Sequence, residues 1–189
     1  MTEDEVKAAL EAAGAILHGH FRLSSGRHSG TYVQCARILE DPRLTTRLAA
    51  TAVRRLAGHR FDLVASPAVG GIIFGFAVAQ ALDLKFIFSE RESGAMRFRR
   101  SFSVPEGARV LIVEDVVTTG GSAAEVAGLV REAGGEVGAV LSLIDRGGPT
   151  SFGDTHVSLL RLEVDSWDPS ECVHCRAGEP LDSPGSRRL

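Results

Sequence analysis

Residues 110–133 pass from a short apolar run, through two acidic residues and a Thr/Gly-rich turn, into a helical pattern. Val110 to Val113 is short and largely β-branched, which predicts a buried strand. Ser122 to Ala133 has the length and periodicity of a helix, and glycines follow it directly. The segment therefore predicts a strand–turn–helix unit of an α/β protein, with Glu114 and Asp115 at the carboxyl end of the strand.

The same alternation of strands and helices recurs along the chain. The other predicted elements are a helix capped by Thr2, a helix from Pro42 to about Leu56, a strand at 61–65, a helix at 72–82, a hairpin with strands at 85–90 and 96–104, and a strand at 137–144. This order predicts a single domain with a mostly parallel sheet and helices on both faces. In such sheets ligands bind at the carboxyl ends of the strands.

The charge balance limits the kinds of partner. The net charge is −3, whereas nucleic-acid binding needs an excess of Lys and Arg, so we expect no nucleic-acid partner. The chain has no apolar stretch of ~18 residues, and its acidic start lacks the apolar run of a signal peptide. We therefore expect no membrane association and a cytoplasmic location.

The turn after the acidic pair predicts an anion site. It consists of Thr118, Thr119, Gly120, Gly121 and Ser122. Small residues let backbone N–H groups approach a phosphate, and the helix that follows adds the positive end of its dipole. The carboxylates of Glu114 and Asp115 would repel a phosphate but suit hydroxyl groups or a hydrated divalent cation. A ribose 5-phosphate would satisfy both halves, whereas the alternative is an ordinary strand, turn and capped helix.

This segment resembles the phosphoribosyl-pyrophosphate motif of the type I phosphoribosyltransferases, and its Asp-Val-Val-Thr-Thr-Gly stretch is most similar to the orotate branch. The resemblance implies that Glu114 and Asp115 face the ribose hydroxyls and a Mg²⁺ ion held mainly by the ligand. It implies that residues 118–122 hold the 5-phosphate. It also implies a homodimer, and a small hood of residues 1–40 and a C-terminal segment over a core of about 41–165.

The segment from Phe21 to Ser29 is similar to the Phe-x-Leu-x-Ser-Gly-Arg-x-Ser pattern near the start of orotate phosphoribosyltransferases. At Ser24 it departs from the family, which often has a Lys there. A third match is the Ile-Asp-Arg-Gly stretch at residues 144–147. In the family its Arg lies near the orotate carboxylate, and a planar guanidinium pairs well with a carboxylate. The orotate-binding residues that these resemblances imply are Ser25, Gly26, Arg27, Tyr32, Thr118 and Arg146.

Two further segments resemble the pyrophosphate end of the family's site. Ala68, Val69, Gly70 and Gly71 lie between a predicted strand and a predicted helix, where the family has its pyrophosphate loop. The hairpin at 90–100 corresponds to a flexible arm that carries Lys and His in the family, but here it carries arginines. Arg91 is the best match to a family cation. The alternative for these arginines is a solvated face of the hairpin.

Together the resemblances imply transfer of the phosphoribosyl group from phosphoribosyl pyrophosphate to orotate, with Asp115, Glu114 and Arg91 as catalytic residues. A purine phosphoribosyltransferase is the closest alternative, because it shares the motif at 114–122. A non-catalytic nucleotide-binding regulator on the same fold is a second alternative, which the net charge of −3 disfavours.

The three cysteines are Cys35, Cys172 and Cys175, too few for a disulfide scaffold. Cys172-Val-His174-Cys175 could bind zinc, but one Cys-x-x-Cys pair is only half of a zinc site. His174 is badly spaced to share a metal with both flanking cysteines. We expect a structural or incidental role for this segment.

Overall fold

This computed structural model describes residues 1–23, 25–147, 152 and 155–184. The strands are β1 Ile16–Arg22, β2 His28–Val33, β3 Leu63–Pro67, β4 Lys85–Glu92, β5 Ala95–Phe98, β6 Arg109–Val117, β7 Glu136–Asp145, β8 His156–Arg161 and β9 Ser166–Trp167. The helices are α1 Glu3–Ala12, α2 Ala36–Leu39, α3 Pro42–Arg55, α4 Gly70–Leu82, α5 Gly121–Glu132 and α6 Val173–Arg176.

The larger sheet has the strand order β5-β4-β3-β6-β7-β8. Every pairing in it is parallel except the edge pair β4 and β5, which forms an antiparallel hairpin. The predicted mostly parallel α/β sheet is therefore confirmed. Parallel neighbouring strands must be joined by a crossover connection. Helices α4 and α5 provide this connection after β3 and β6.

Helices cover both faces of this sheet. In β6, alternate side chains belong to two different apolar clusters, one on each face. Leu111 and Val113 belong to the apolar cluster that includes buried side chains of α3 and α4. Val110 and Ile112 belong to the cluster formed with α5. Successive strand residues point to opposite faces, so one short apolar run supports two helix layers. Burying each Val or Leu fully contributes about 1.5–3 kcal/mol.

Several predicted boundaries were wrong; the strand predicted at 61–65, for example, spans Leu63–Pro67. β6 continues to Val117, so Glu114 and Asp115 lie within the strand, because β7 supplies parallel partners as far as Val117 opposite Asp145. The strand predicted at 96–104 ends at Phe98, since Arg100 and Ser101 adopt left-handed φ angles of 56° and 60°. The helix predicted from residue 72 begins at Gly70.

A second, antiparallel sheet joins the two ends of the chain in the order β1-β2-β9. We call it the small sheet. The sequence predicted a hood of residues 1–40 with a C-terminal segment, but Val6 and Leu10 of α1 pack into the cluster of the larger sheet. In the part of the chain that the structure describes, none of the helices is long and apolar enough to cross a membrane.

Candidate active site

A cavity of about 1110 Å³ opens at the carboxyl ends of β3 and β6, beside the small sheet. This is where parallel α/β sheets bind their ligands. Of the site residues predicted from the sequence, the cavity is lined by Ser25, Arg27, Tyr32, Val69, Gly70, Asp115, Thr118, Thr119 and Arg146. The fold therefore brings together segments that are far apart in the chain.

The acidic pair lies against the N-terminus of α4. Burial and the neighbouring Asp115 carboxylate raise the pKa of Glu114 well above its ordinary value. Burial also raises the pKa of Asp115, whose Oδ1 accepts a hydrogen bond of 2.9 Å from the Val116 N–H. Glu114 is buried and Asp115 is partly buried beside it, so simultaneous ionisation is disfavoured, and a cation or hydroxyl donors would stabilise the charged forms.

Gly70 permits the close approach between α4 and this pair. A Cβ added at Gly70 would lie 2.8 Å from Cγ of Asp115, and one added at Gly71 would lie 3.3 Å from Oε2 of Glu114. Any larger residue at Gly70 would have to displace the Asp115 carboxylate. The glycine therefore places the positive end of the α4 dipole beside the two carboxylates.

Ala68 and Val69 connect β3 to α4, and Gly70 and Gly71 form the first turn of that helix. The peptide bond between Ala68 and Val69 is cis. The N–H of Ala68 donates to the carbonyl oxygen of Ser89 at 2.8 Å, which fixes the loop to β4. Val69 and Gly70 line the cavity, whereas Ala68 and Gly71 are not among the described residues that line it.

The turn after β6 leads into α5 from the cavity wall. Gly120 caps this helix with a left-handed φ of 73°, which a residue with a side chain would adopt at a cost. Thr118 and Thr119 line the cavity, and the N-terminus of α5 follows them. Gly121 and Ser122 form the first turn of the helix. Backbone N–H groups at such a terminus bind phosphate.

Arg146 lines the cavity and has one buried donor without a partner among the described residues. Its backbone N–H donates to the carbonyl oxygen of Val117 at 2.9 Å, which fixes it beside the end of β6. Its side-chain Nε is buried, and no partner for that atom exists among the described residues. Burial lowers the pKa of Arg146, an effect that the nearby Tyr32 hydroxyl partly offsets. A buried donor of this kind is stabilised by an anionic ligand.

Arg27 holds the small sheet together. Its Nε donates to Oγ of Ser166 at 3.0 Å, and its NH1 contacts Oδ2 of Asp168 at 3.0 Å. Its NH2 donates to the carbonyl oxygen of Ser166. Gly26 forms the preceding turn with a left-handed φ of 82°, and Ser24 lies outside the described residues. Arg27 therefore lines the cavity while its donors position β9.

Arg91 lies outside the cavity-lining set within the described residues. Its guanidinium makes a two-pronged ion pair with the Glu125 carboxylate of α5, at 3.0 and 2.6 Å. A third bond, of 2.6 Å, goes to the carbonyl oxygen of Gly94 in the hairpin turn. Arg91 would have to leave Glu125 before it could reach a ligand in the cavity.

The sequence did not indicate several apolar residues of the cavity wall. These are Val33, Cys35, Ala36, Leu39, Ile73, Val116 and Val164. In the sequence they resemble ordinary core positions, because an apolar pattern does not distinguish a core from a pocket wall. One feature of the sequence could have indicated part of this wall. Val33 to Ala36 directly follow Tyr32, which was already predicted to contact the base.

Comparisons with known proteins agree with this geometry. Residues 36–171 match the family model described as phosphoribosyl transferase domain. The orotate phosphoribosyltransferase of Pelotomaculum thermopropionicum is 46% identical over 190 residues, covering 100% of both chains. The solved orotate phosphoribosyltransferase of Aeropyrum pernix is 30% identical with a TM-score of 0.71, over 84% of this chain and 93% of that chain.

A solved adenine phosphoribosyltransferase, from Thermoanaerobacter pseudethanolicus, shares the fold. Its TM-score is 0.60 and it is 23% identical, over 70% of this chain and 88% of that chain. At this identity the likeness concerns the fold alone. The full-length similarity is to orotate enzymes, which favours the orotate branch over the purine alternative.

Proposed function

The chain belongs to the orotate phosphoribosyltransferase family, and on that premise we propose that it transfers the 5-phosphoribosyl group of phosphoribosyl pyrophosphate to orotate. The products are orotidine 5′-phosphate and pyrophosphate, and the reaction serves pyrimidine (UMP) biosynthesis. One observation carries the proposal: Asp115, Thr118 and Thr119 line the same cavity as Arg146 and Tyr32. The first three suit a ribose phosphate, and the last two suit a planar anionic base.

The two ends of the cavity orient the substrates. The 5-phosphate binds the turn at 118–122 and the N-terminus of α5, while the ribose hydroxyls face Asp115. The orotate carboxylate pairs with the Arg146 guanidinium, whose Nε has no partner among the described residues, and the ring lies against Tyr32. The pyrophosphate lies toward Val69 and Gly70 at the start of α4.

The chemistry needs electrostatic and positional catalysis. C1 of the ribose loses pyrophosphate and gains orotate N1, through a transition state with oxocarbenium character. The Asp115 carboxylate stabilises this positive charge, and the fixed phosphate and carboxylate sites align the reacting atoms. Orotate N1 is acidic enough that little base catalysis is needed, and no covalent enzyme intermediate is formed.

We propose that the reaction depends on Mg²⁺. The donor set fits, because the buried Glu114 and the partly buried Asp115 are neighbouring carboxylates with raised pKa values, and Mg²⁺ prefers oxygen ligands. Phosphoribosyl pyrophosphate would hold most of the coordination sphere, with these two residues nearby. When bound, the ion supplies positive charge to the leaving pyrophosphate.

We also propose a homodimer and a cytoplasmic location. Val69, Ile73 and Phe76 are exposed by 81%, 53% and 59%, and their spacing of four and three residues places them on one face at the start of α4. A patch of exposed large apolar side chains favours an interface with another chain. Because this patch adjoins the cavity, a partner there would lie close to the site. The chain's net charge of −3 continues to disfavour a nucleic-acid regulator.

Base preference tests the proposed activity directly. We expect orotate to be used in preference to adenine, hypoxanthine and uracil when pyrophosphate release is measured with each base. Uracil differs from orotate by the carboxylate that Arg146 would bind, so its kcat/KM should be lower by ~10–100-fold, the worth of a charged hydrogen-bonded pair. Faster turnover of adenine or hypoxanthine than of orotate would contradict the proposal.

Arg91→Ala tests whether the arm contributes to catalysis. If Arg91 leaves Glu125 to contact the departing pyrophosphate, its loss should lower kcat by roughly tenfold with little change in the orotate KM, because that charge develops in the transition state. Arg97→Ala is the matched control, since Arg97 is an exposed arginine of the same hairpin, 3.9 Å from Glu92. Equal effects of the two substitutions would assign Arg91 to the hairpin surface.

Hybrid dimers test which subunit the arm serves. Mixing Arg91→Ala with Asp115→Asn chains places both lesions in one site of each hybrid if the arm crosses to the partner subunit. The other site then carries neither lesion, so activity should partly return. Absence of recovery despite measured subunit exchange would show that the arm acts within its own subunit or that Arg91 is only a solvated charge.

A further inference from the structure

Four metal-ligating side chains from opposite ends of the chain converge beside the small sheet. His20 lies on β1, His28 begins β2, Cys172 precedes α6 and Cys175 lies in α6. Their ligand atoms all lie within 4.8 Å of one another. The sequence interpretation treated the Cys-x-x-Cys pair as half of a zinc site, and the fold brings two histidines to it.

Four of the six distances between these ligand atoms are close to those of a tetrahedral metal site. His20 Nε2 and His28 Nδ1 are 3.0 Å apart, and His20 Nε2 is 3.5 Å from Cys172 Sγ. Cys175 Sγ is 3.6 Å from His20 Nε2 and 3.2 Å from His28 Nδ1. Zinc bonds of ~2.0–2.1 Å to nitrogen and ~2.3 Å to sulfur separate tetrahedral ligands by roughly 3.3–3.8 Å. The two shortest distances would need to open by a few tenths of an ångström, and the two remaining pairs, which involve Cys172 Sγ, lie within 4.8 Å.

Hydrogen bonding around the cluster prepares His20 to be a ligand. Its Nδ1 is 3.0 Å from the carbonyl oxygen of Glu179, an acceptor that requires Nδ1 to carry the proton. The lone pair of the neutral ring is then on Nε2, the nitrogen that faces the cluster. Metal-binding histidines commonly have such an outer partner, which fixes the tautomer and the ring orientation.

Burial separates the cluster from bulk water on most sides. Cys172 is 0% exposed, and His20 and His28 are 4% and 5% exposed, while Cys175 is exposed. His174 is not one of the four, because its Nδ1 bonds to Oε2 of Glu179 at 2.8 Å and its ring stacks on that of His20.

We propose that His20, His28, Cys172 and Cys175 bind Zn²⁺ in a closed structural site. Two thiolates and two imidazoles in tetrahedral array are a preferred donor set for zinc. With four protein ligands no position is left for substrate. Within the described residues, none of the four lines the active-site cavity.

The bound ion would cross-link the two ends of the chain. It would hold α6 against β1 and β2, next to the backbone bonds of 2.8 Å that join His20 and Arg22 to Asp182. The same sheet carries Tyr32 and the Arg27 contacts to β9. Zinc would therefore stabilise the wall of the cavity that faces the base, and this inference goes beyond the proposed activity.

Metal analysis of the purified chain, free of any histidine tag, tests the site. We expect the wild type to retain about one zinc per chain, as for a closed four-ligand site. Cys175→Ser and His28→Gln should lose it after gel filtration with a weak chelator. Cys35→Ser and His18→Gln are matched controls that change a cysteine and a small-sheet histidine outside the cluster, and both should retain zinc. Equal zinc content in the cluster variants and the controls would overturn the assignment.

Cobalt substitution tests the wild-type chain without relying on the folding of variants. After zinc is removed, added Co²⁺ should give the d–d bands of tetrahedral cobalt and a thiolate-to-metal charge-transfer band, and zinc should displace both. Zinc should also raise the thermal midpoint of the stripped protein, because a ligand that binds the folded state stabilises it. Absence of the cobalt bands, or recovery of the protein with a Cys172–Cys175 disulfide and no metal, would overturn the proposal.

Discussion

Asp115→Asn is expected to lower kcat by about 10²-fold or more, equivalent to about 3 kcal/mol of transition-state stabilisation. The substitution keeps the shape of the side chain but removes the negative charge next to which the ribose cation develops. It also removes one of two neighbouring carboxylates with raised pKa values, so the folded protein should lose no stability through that change. Steady-state kinetics with orotate and phosphoribosyl pyrophosphate would measure the effect.

The matched control for this substitution is Asp62, which lies at the opposite end of β6 from Asp115. Asp62 accepts a hydrogen bond of 2.8 Å from the N–H of Arg109, the first residue of β6, far along the strand from the cavity. Asp62→Asn should change the thermal midpoint slightly and leave kcat near its wild-type value. If circular dichroism shows that the Asp115→Asn protein is folded and its kcat is near the wild-type value, Asp115 has a structural role.

Arg146→Ala is expected to lower kcat/KM for orotate on the order of 10²-fold, because hydrogen bonds to charged groups contribute about 1.5–3 kcal/mol each. The side chain is partly buried, and its buried Nε lacks a partner within the described part of the chain. The orotate carboxylate would supply that partner. The KM for phosphoribosyl pyrophosphate should change little, since that substrate binds at the other end of the cavity.

Uracil provides an internal control for Arg146. It lacks the carboxylate, so its low rate should fall much less than the orotate rate in Arg146→Ala. Arg161→Ala removes an exposed arginine of the adjacent strand β8, paired with Glu163 at 3.0 Å, and should leave both rates near wild type. If Arg146→Ala lowered the orotate and uracil rates by the same factor, the carboxylate contact would be excluded.

The sequence alone determined the features that depend on neighbouring residues. The apolar run at 110–113 and the helix after Ser122 follow from periodicity, so the mostly parallel α/β sheet could be predicted. The Thr/Gly turn and the segment at 68–71 could be located because each places small residues between a predicted strand and a predicted helix. The family resemblance added the roles of these segments, which periodicity does not contain.

Tertiary structure decided how far each element extends and what its charges contact. β6 continues through Glu114 and Asp115 because β7 provides hydrogen-bonding partners there, and that partner is distant in sequence. The arginine pattern of the hairpin did not reveal that Arg91 is held by Glu125 of α5. Such an ion pair depends on the packing of two elements, and each sequence segment contains only one of its members.

The sequence also could not pair groups from the two ends of the chain. Cys172 and Cys175 formed only half of a metal site until the small sheet brought His20 and His28 to them. Tyr32 and Arg146 likewise meet at one cavity although more than a hundred residues lie between them. Local patterns fix local structure, whereas the burial and hydrogen bonding of the whole chain select which distant side chains become neighbours.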